Sequence, residues 1–343
     1  MTLTTASQVI RYERTLGMTV MEGKGFYCPN DMSLGRNGRI YVLNRSIESR
    51  ASGRGMRVAV CDANDGYYGS FGTFGSGRGQ FTWPSAIAVG PDNRVYVADE
   101  HLQKIMIFSS DGEFIDEWGT AGSRPGELDT PSGLIVDGEG NLVVSDTYNH
   151  RVQVFTTEGA FIITFGREGG GDGELNMPWR LSIGPDSNVY VADWGNDRVS
   201  IFTQEGEFVA SYGESGTGDG QFTRPADVVA DSNGNIYVCD WGNERVQVLD
   251  SRGKFLQLTL GESTISPWAQ NFLNVNVEEG QARSRADLDK PDIQFPDPND
   301  RHIVSAHIEK YFWAPMALAV SPDNRLFVTE SNRHRIQIFE IVG

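Results

Sequence analysis

Short runs in which apolar and polar residues alternate recur along this chain. Between Pro131 and Gly166 four of them follow one another: LIVD, NLVVSD, RVQVF and FIITFG. β-Branched and aromatic residues at every second position predict strands with one buried face. The Gly-Glu-Gly-Asn and Glu-Gly steps between them predict hairpin turns. The unit then repeats. Pro84, Pro131, Pro178 and Pro225 stand 47 residues apart, and so do Asp99, Asp146, Asp193 and Asp240 at the ends of VYVAD, LVVSD, VYVAD and IYVCD. Gly72, Gly119, Gly166 and Gly213 keep the same step. Three markers in one register predict repeated four-stranded units. One such sheet cannot bury both its faces, so the units must pack side by side around an axis, as the blades of an all-β propeller.

The third strand of each unit counts the blades. It recurs as residues 57–60, 104–108, 151–155, 198–202, 245–249 and 335–339, which predicts a six-bladed β-propeller. The last unit has no fourth strand after its third. In the regular blades the closing glycine precedes the next proline by 12 residues, and Gly17 precedes Pro29 by the same 12. Residues 8–16, within a segment bounded at 7–17, are therefore expected to complete blade six from the other end and remove the open sheet edge. Residues 1–343 read as a single propeller.

The turn Asp-x-x-Asn-x-Arg-Val, as in Asp146-Thr-Tyr-Asn-His-Arg-Val, and the linker Gly-x-Gly-x-Phe-x-x-Pro, as in 77–84 and 218–225, resemble those of the NHL-repeat family. The resemblance implies the propeller but no single activity, because such propellers include scaffolds, RNA binders and enzymes. Peptidyl-hydroxyglycine lyases are similar in architecture and hold zinc with three axial histidines. The corresponding positions here, including Asn30, Ser85, Ser132, Trp179, Ala226 and Met316, carry none. Gluconolactonase-like propellers, also similar, use axial acids and asparagines for a divalent cation.

Two places break the repeat. Pro29 to Pro84 spans 55 residues, with the excess between Asn44 and Arg57, and Pro225 to Pro315 spans 90, with the excess between Gly261 and Phe312. Both fall on the end that carries the blade-to-blade linkers and the turns between second and third strands, here termed the mouth. Segment 262–312 has apolar anchors at Trp268, Phe272, Ile303, Tyr311, Phe312 and Trp313, which suit an ordered lid. Its acidic stretch 278–300, with Pro291, Pro296 and Pro298, suits a disordered surface loop instead. Both readings stand at this stage.

Composition narrows the partners. A formal charge of −17 and no basic stripe disfavour nucleic acid. The first residues have neither the basic start nor the apolar run of a secretion signal, and no stretch is long and apolar enough to span a membrane. Cys28, Cys61 and Cys239, odd in number and without CxxC spacing, read as free thiols, so a cytoplasmic location is expected.

Candidate chemistry lies at the mouth. Arg180, Asp227 and Asp31 follow the linker prolines, where most blades carry small residues. They read either as catalytic groups that clamp an anion or as one buried salt bridge. Asn30, Asn44, Arg45, Glu100, His101, Tyr148, Trp179, Trp194, Trp241 and Glu330 are the ligand-binding candidates. The strand-end aspartates, each with Arg or Lys five residues on, read as turn-closing ion pairs. His101, His302 and His307 are the metal candidates, for zinc or calcium. The functional expectation is a lyase, hydrolase or isomerase acting on a small polar or anionic ligand under the lid. The alternative is a non-enzymatic protein-interaction scaffold.

Overall fold

The structure, a computed structural model, describes residues 8–46, 53–289 and 294–342. Residues 1–7, 47–52 and 290–293 lie outside them, and with them the first residue of segment 7–17, part of the break between Asn44 and Arg57, and Pro291. Six four-stranded antiparallel sheets form the ring. In blade four, Pro178–Ile183 lines the axis, and Val189–Asp193, Arg198–Phe202 and Phe208–Tyr212 follow outward. Second strands are buried along their whole length, while outer strands alternate with solvent. That gradient is why the second strands read as unbroken β-branched and aromatic runs.

Among the described residues the apolar core divides into six clusters, each joining two neighbouring blades. At every joint the linker drives one fully buried apolar side chain between the sheets: Phe26, Phe81, Leu128, Leu175, Phe222 and Phe312. The closing glycine makes room for it. A Cβ at Gly72, whose φ is +79°, would sit 2.1 Å from the Phe81 ring. Glycine is therefore required there for both space and conformation.

The ring closes as the 12-residue spacing predicts. Ile10–Leu16 pairs antiparallel with Arg335–Ile341, from Ile10↔Ile341 to Leu16↔Ile336, with a bulge between Tyr12 and Arg14. The strand begins at Ile10 rather than at residue 8.

The repeated turn is a lock between each turn and its own linker. Asp146 accepts the Asp129 backbone N–H at 2.6 Å and pairs with Arg151 at 2.7 Å. Arg151 then donates to the linker carbonyls of Ser123, Arg124 and Glu127. Asp193–Arg198, Asp240–Arg245 and Glu330–Arg335 repeat the pairing at 2.9, 2.6 and 2.7 Å. Blade two departs from the expected pair. Asp99 takes four backbone N–H groups, from Thr82, Trp83, His101 and Leu102, and Lys104 turns to Glu117 instead. Four charge-assisted bonds satisfy that carboxylate without a cation.

Among the described residues a second lock joins every pair of neighbouring blades except one and two. Gln103, His150, Asp197, Glu244 and His334, all with φ between +52° and +57°, accept the N–H of Thr130, Met177, Arg224, Ala314 and Cys28. Those donors stand immediately before the linker prolines and are left-handed as well.

Segment 262–312 is largely helical: α1 (Pro267–Val275), α2 (Val277–Arg285) and α3 (Arg301–His307). Ser266 caps α1 and also donates to the Gly17 carbonyl. Trp268 is buried in the core between blades six and one, with its indole N–H on the Asp65 carbonyl at 3.0 Å. α3 is capped by Asp300 and tied to blade five through His302 and Glu244. The insertion thus clasps the rim and outer seam over blades five, six and one.

Candidate functional site

The second residue after each linker proline forms one ring around the axis: Asp31, Ala86, Gly133, Arg180, Asp227 and Ala317. Three small residues leave room for one long one. A Cβ on Gly133 would lie 3.0 Å from the Arg180 Cα and 2.5 Å from the Trp179 carbonyl. Arg180 crosses the axis and is only 3% exposed. Its Nη1 donates to the Met316 carbonyl at 3.0 Å, and its Nη2 donates to Asn30 and Ser85 carbonyls at 2.8 and 3.1 Å. Its Nε lies 3.3 Å from Asp31 Oδ1. The partner is therefore Asp31, opposite in the ring, and Asp227 makes no ion pair within 4 Å among the described residues.

The two acids staple neighbouring blades. Asp31 accepts Met32 and Ile87 N–H groups at 2.9 and 2.8 Å, and Asp227 accepts those of Val228 and Leu318 at 2.8 and 2.7 Å. Burial raises both carboxyls above the usual range, against the pull of the Arg180 charge. Asp227 is pushed up to about 8, with the Asp31 charge adding to the rise. A cavity of about 320 Å³ starts at this ring and is lined by Leu34, Val89, Val136, Ile183 and Val320, towards the far ends of the first strands. The three candidate catalytic residues thus form the floor of a channel that opens away from the mouth. Sequence placed them on one ring but expected it to face the mouth, whereas the cavity they floor runs towards the far ends of the first strands.

The remaining candidates divide into locked and open groups. Asn30 donates to the Ser85 carbonyl at 2.8 Å. Asn44 replaces the turn acid, accepting Tyr27 N–H and donating to Val42 and Arg57 carbonyls. Glu330, fully buried, acts as one more turn acid with Arg335, Gln337 and the Trp313 N–H. Arg45 pairs with Glu100 at 2.5 Å and lies 4.1 Å over the Trp83 ring. Burial lowers Arg45 to about 10 and raises Glu100.

On blades three to five Tyr148 is open to solvent, while Trp179, Trp194 and Trp241 are half-buried. Tyr148 is 55% exposed. Trp179 stacks on Trp194 at 5.9 Å, Arg224 lies 4.8 Å over Trp194, and Trp179 and Trp241 flank one core cluster. Exposed Glu168, Asp172, Glu214 and Asp219 stand on the same linkers, with no cation in ion-pair range among the described residues.

The metal candidates do not converge. His302 bonds Glu244 and receives the Trp313 indole N–H at 3.3 Å. His307 bonds the Ile303 carbonyl of its own helix and packs on Phe295. His101 is exposed on the turn of blade two. His302 and His307 share helix α3 but are bonded to different partners, His101 stands on blade two, and among the described residues no three His, Cys, Asp or Glu side chains are grouped to hold one ion. His150 and His334 stand in the turns and prove to be blade-to-blade acceptors. The signal was present in the varied residue before the turn Lys or Arg of blades two to six: Gln, His, Asp, Glu and His all offer an acceptor.

Comparison with known proteins agrees with the architecture. Residues 128–155, 222–249 and 312–339 match the NHL repeat. A segment of 48 residues is 46% identical to the protein brain tumor of Drosophila melanogaster, covering 14% of this chain and only 5% of that protein. A streptogramin B lyase structure superposes with a TM-score of 0.56 at 12% identity, over 98% of this chain and 90% of that one. A protein of unknown function from Bacteroides thetaiotaomicron VPI-5482 gives 0.58 at 16% identity, over 98% and 70%. At such identities the likeness establishes the fold alone. No helix among the described residues is long and apolar enough to cross a membrane.

Proposed function

Taking this chain as a six-bladed propeller that carries NHL repeats, we propose that it is a non-enzymatic recognition module. It binds an extended, basic polypeptide across the mouth sector of blades three to five. The observation that carries this reading is the pairing of aromatics with unpaired acids. Tyr148 is exposed, Trp179, Trp194 and Trp241 are half-buried beside it with Arg224 over Trp194, and exposed Glu168, Asp172, Glu214 and Asp219 stand on the linkers of the same blades. Ring faces attract cations and apolar stems together, and aromatic anchors carry much of the energy at protein interfaces. An axial enzyme would need Arg180, Asp31 or Asp227 to be free for substrate, and each already bonds neighbouring blades. The fold permits a lyase, but the accessible chemistry favours binding.

The test is a titration with a short Lys/Arg-rich peptide followed by tryptophan fluorescence. Saturable binding that weakens with added salt is expected, with none for a Glu-rich peptide of the same length. Tyr148→Ala combined with Trp194→Ala should weaken it by at least about tenfold. Equal binding of both peptides, or an unaffected double variant, would remove the proposal.

A further inference from the structure

A separate cavity of about 530 Å³ lies where the insertion meets the ring seam. The size is that of a small-molecule site. One wall is apolar and comes from two distant parts of the chain: Met18 and Val20 after the closing strand, and Ile265, Ala269, Phe272 and Leu273 around α1. Phe272 is 46% exposed there, so the wall lacks a cover.

The charged and polar part of the lining includes Arg283, Glu309, Asn332 and Arg333. Arg283 is paired with Glu309. Arg333 is different. Its Nη2 donates to the carbonyls of Ser305, Ala306 and Ile308 at 2.7, 3.1 and 3.2 Å. Its plane lies over Trp313 at 5.3 Å. Among the described residues no carboxylate lies in ion-pair range of it, and its Nε is buried without a partner. The nearby acids are already engaged: Glu330 with Arg335, Glu309 with Arg283, and Glu244 with His302. A cation fixed by carbonyls and a ring, with no counter-ion, beside an uncovered apolar wall is complementary to a molecule with one negative end and one apolar end.

We propose that this cavity binds a small soluble monocarboxylate, its apolar body against Val20, Ile265 and Phe272 and its carboxylate on Arg333. The site is independent of the mouth aromatics. Because its walls come from residues 15–20, the insertion and the last blade, an occupant would bridge both sides of the seam and stabilise the closed ring by mass action.

Decanoate is the probe, decan-1-ol its uncharged counterpart, and calorimetric titration with thermal melting the readout. The expected result is a saturable rise in melting temperature with decanoate, roughly tenfold tighter binding than decan-1-ol, and loss of that difference at high salt. Arg333→Gln should bind the acid and the alcohol alike. Because Arg333 also holds α3, Ala269→Trp serves as the second variant. It fills the cavity, so it should abolish decanoate binding while leaving the ligand-free melting temperature nearly unchanged. No binding of decanoate, equal affinity for acid and alcohol in the unaltered protein, or full binding by Ala269→Trp would each overturn the proposal.

Discussion

At the scale of single residues, Arg180 shows how an unusual side chain is kept. It spans the axis, bonds carbonyls on three blades and sits by Asp31 in a buried ring. Removing one partner from such a cluster leaves a charge with neither water nor counter-ion. Arg180→Ala is therefore expected to cost about 3–5 kcal/mol in chemical denaturation. Adding Asp31→Ala should recover part of that loss, so the double variant loses less than the sum of the two single ones. Strict additivity would separate Arg180 from Asp31 and undo the pairing. Sequence identified Arg180 and both acids because they interrupt a small-residue pattern. It could not choose among their bonds, since carbonyl partners leave no trace in residue identity.

At the scale of elements, the turns and linkers proved the most legible parts, because their bonding uses fixed residue types at fixed spacing. The turn carried its ion pair in the text of the chain in blades three to six; blade one has Asn44 in place of the acid, and in blade two Lys104 cannot make the forked contact of an arginine. The second lock was hidden because four different residue types perform it. His334 is the instructive case. Its Nδ1 accepts the Cys28 N–H at 2.8 Å, which requires a neutral ring, and burial lowers its pKa. A lowered imidazole contributes stability above its ordinary pKa of about 6.5, and loses it as pH falls through the folded value. His334→Gln, the residue type that blade two uses at Gln103, keeps the acceptor and removes the titration. Between pH 7 and pH 5 the unaltered protein should therefore lose more melting temperature than His334→Gln. Parallel pH profiles would show that His334 does not titrate at this joint.

At the scale of the whole molecule, fold and closure could be read from periodicity alone, while the helices of the insertion could not. Residues 278–300 are polar and proline-rich, and only tertiary anchors such as Trp268 and His302 set where their flanks lie. Closure itself is directly testable. Deleting residues 1–16 removes the strand that pairs with Arg335–Ile341 and uncovers an edge in blade six. The shortened chain is expected to associate in light scattering and to melt well below the full one. A monomer melting within a few degrees of it would mean that the seam contributes little.

The pairing of Ile10 with Ile341 also sets an order of events. Blades one to five are each contiguous in the chain, so each can form soon after its four strands leave the ribosome. Blade six alone needs two strands separated by the rest of the ring. Residues 10–16 must therefore wait through the synthesis of every other blade before meeting their partner. During that interval the growing protein is an open arc with uncovered apolar sheet faces at its ends. The final contact to form is thus the one with the greatest separation along the chain, which makes ring closure a late and slow step of folding.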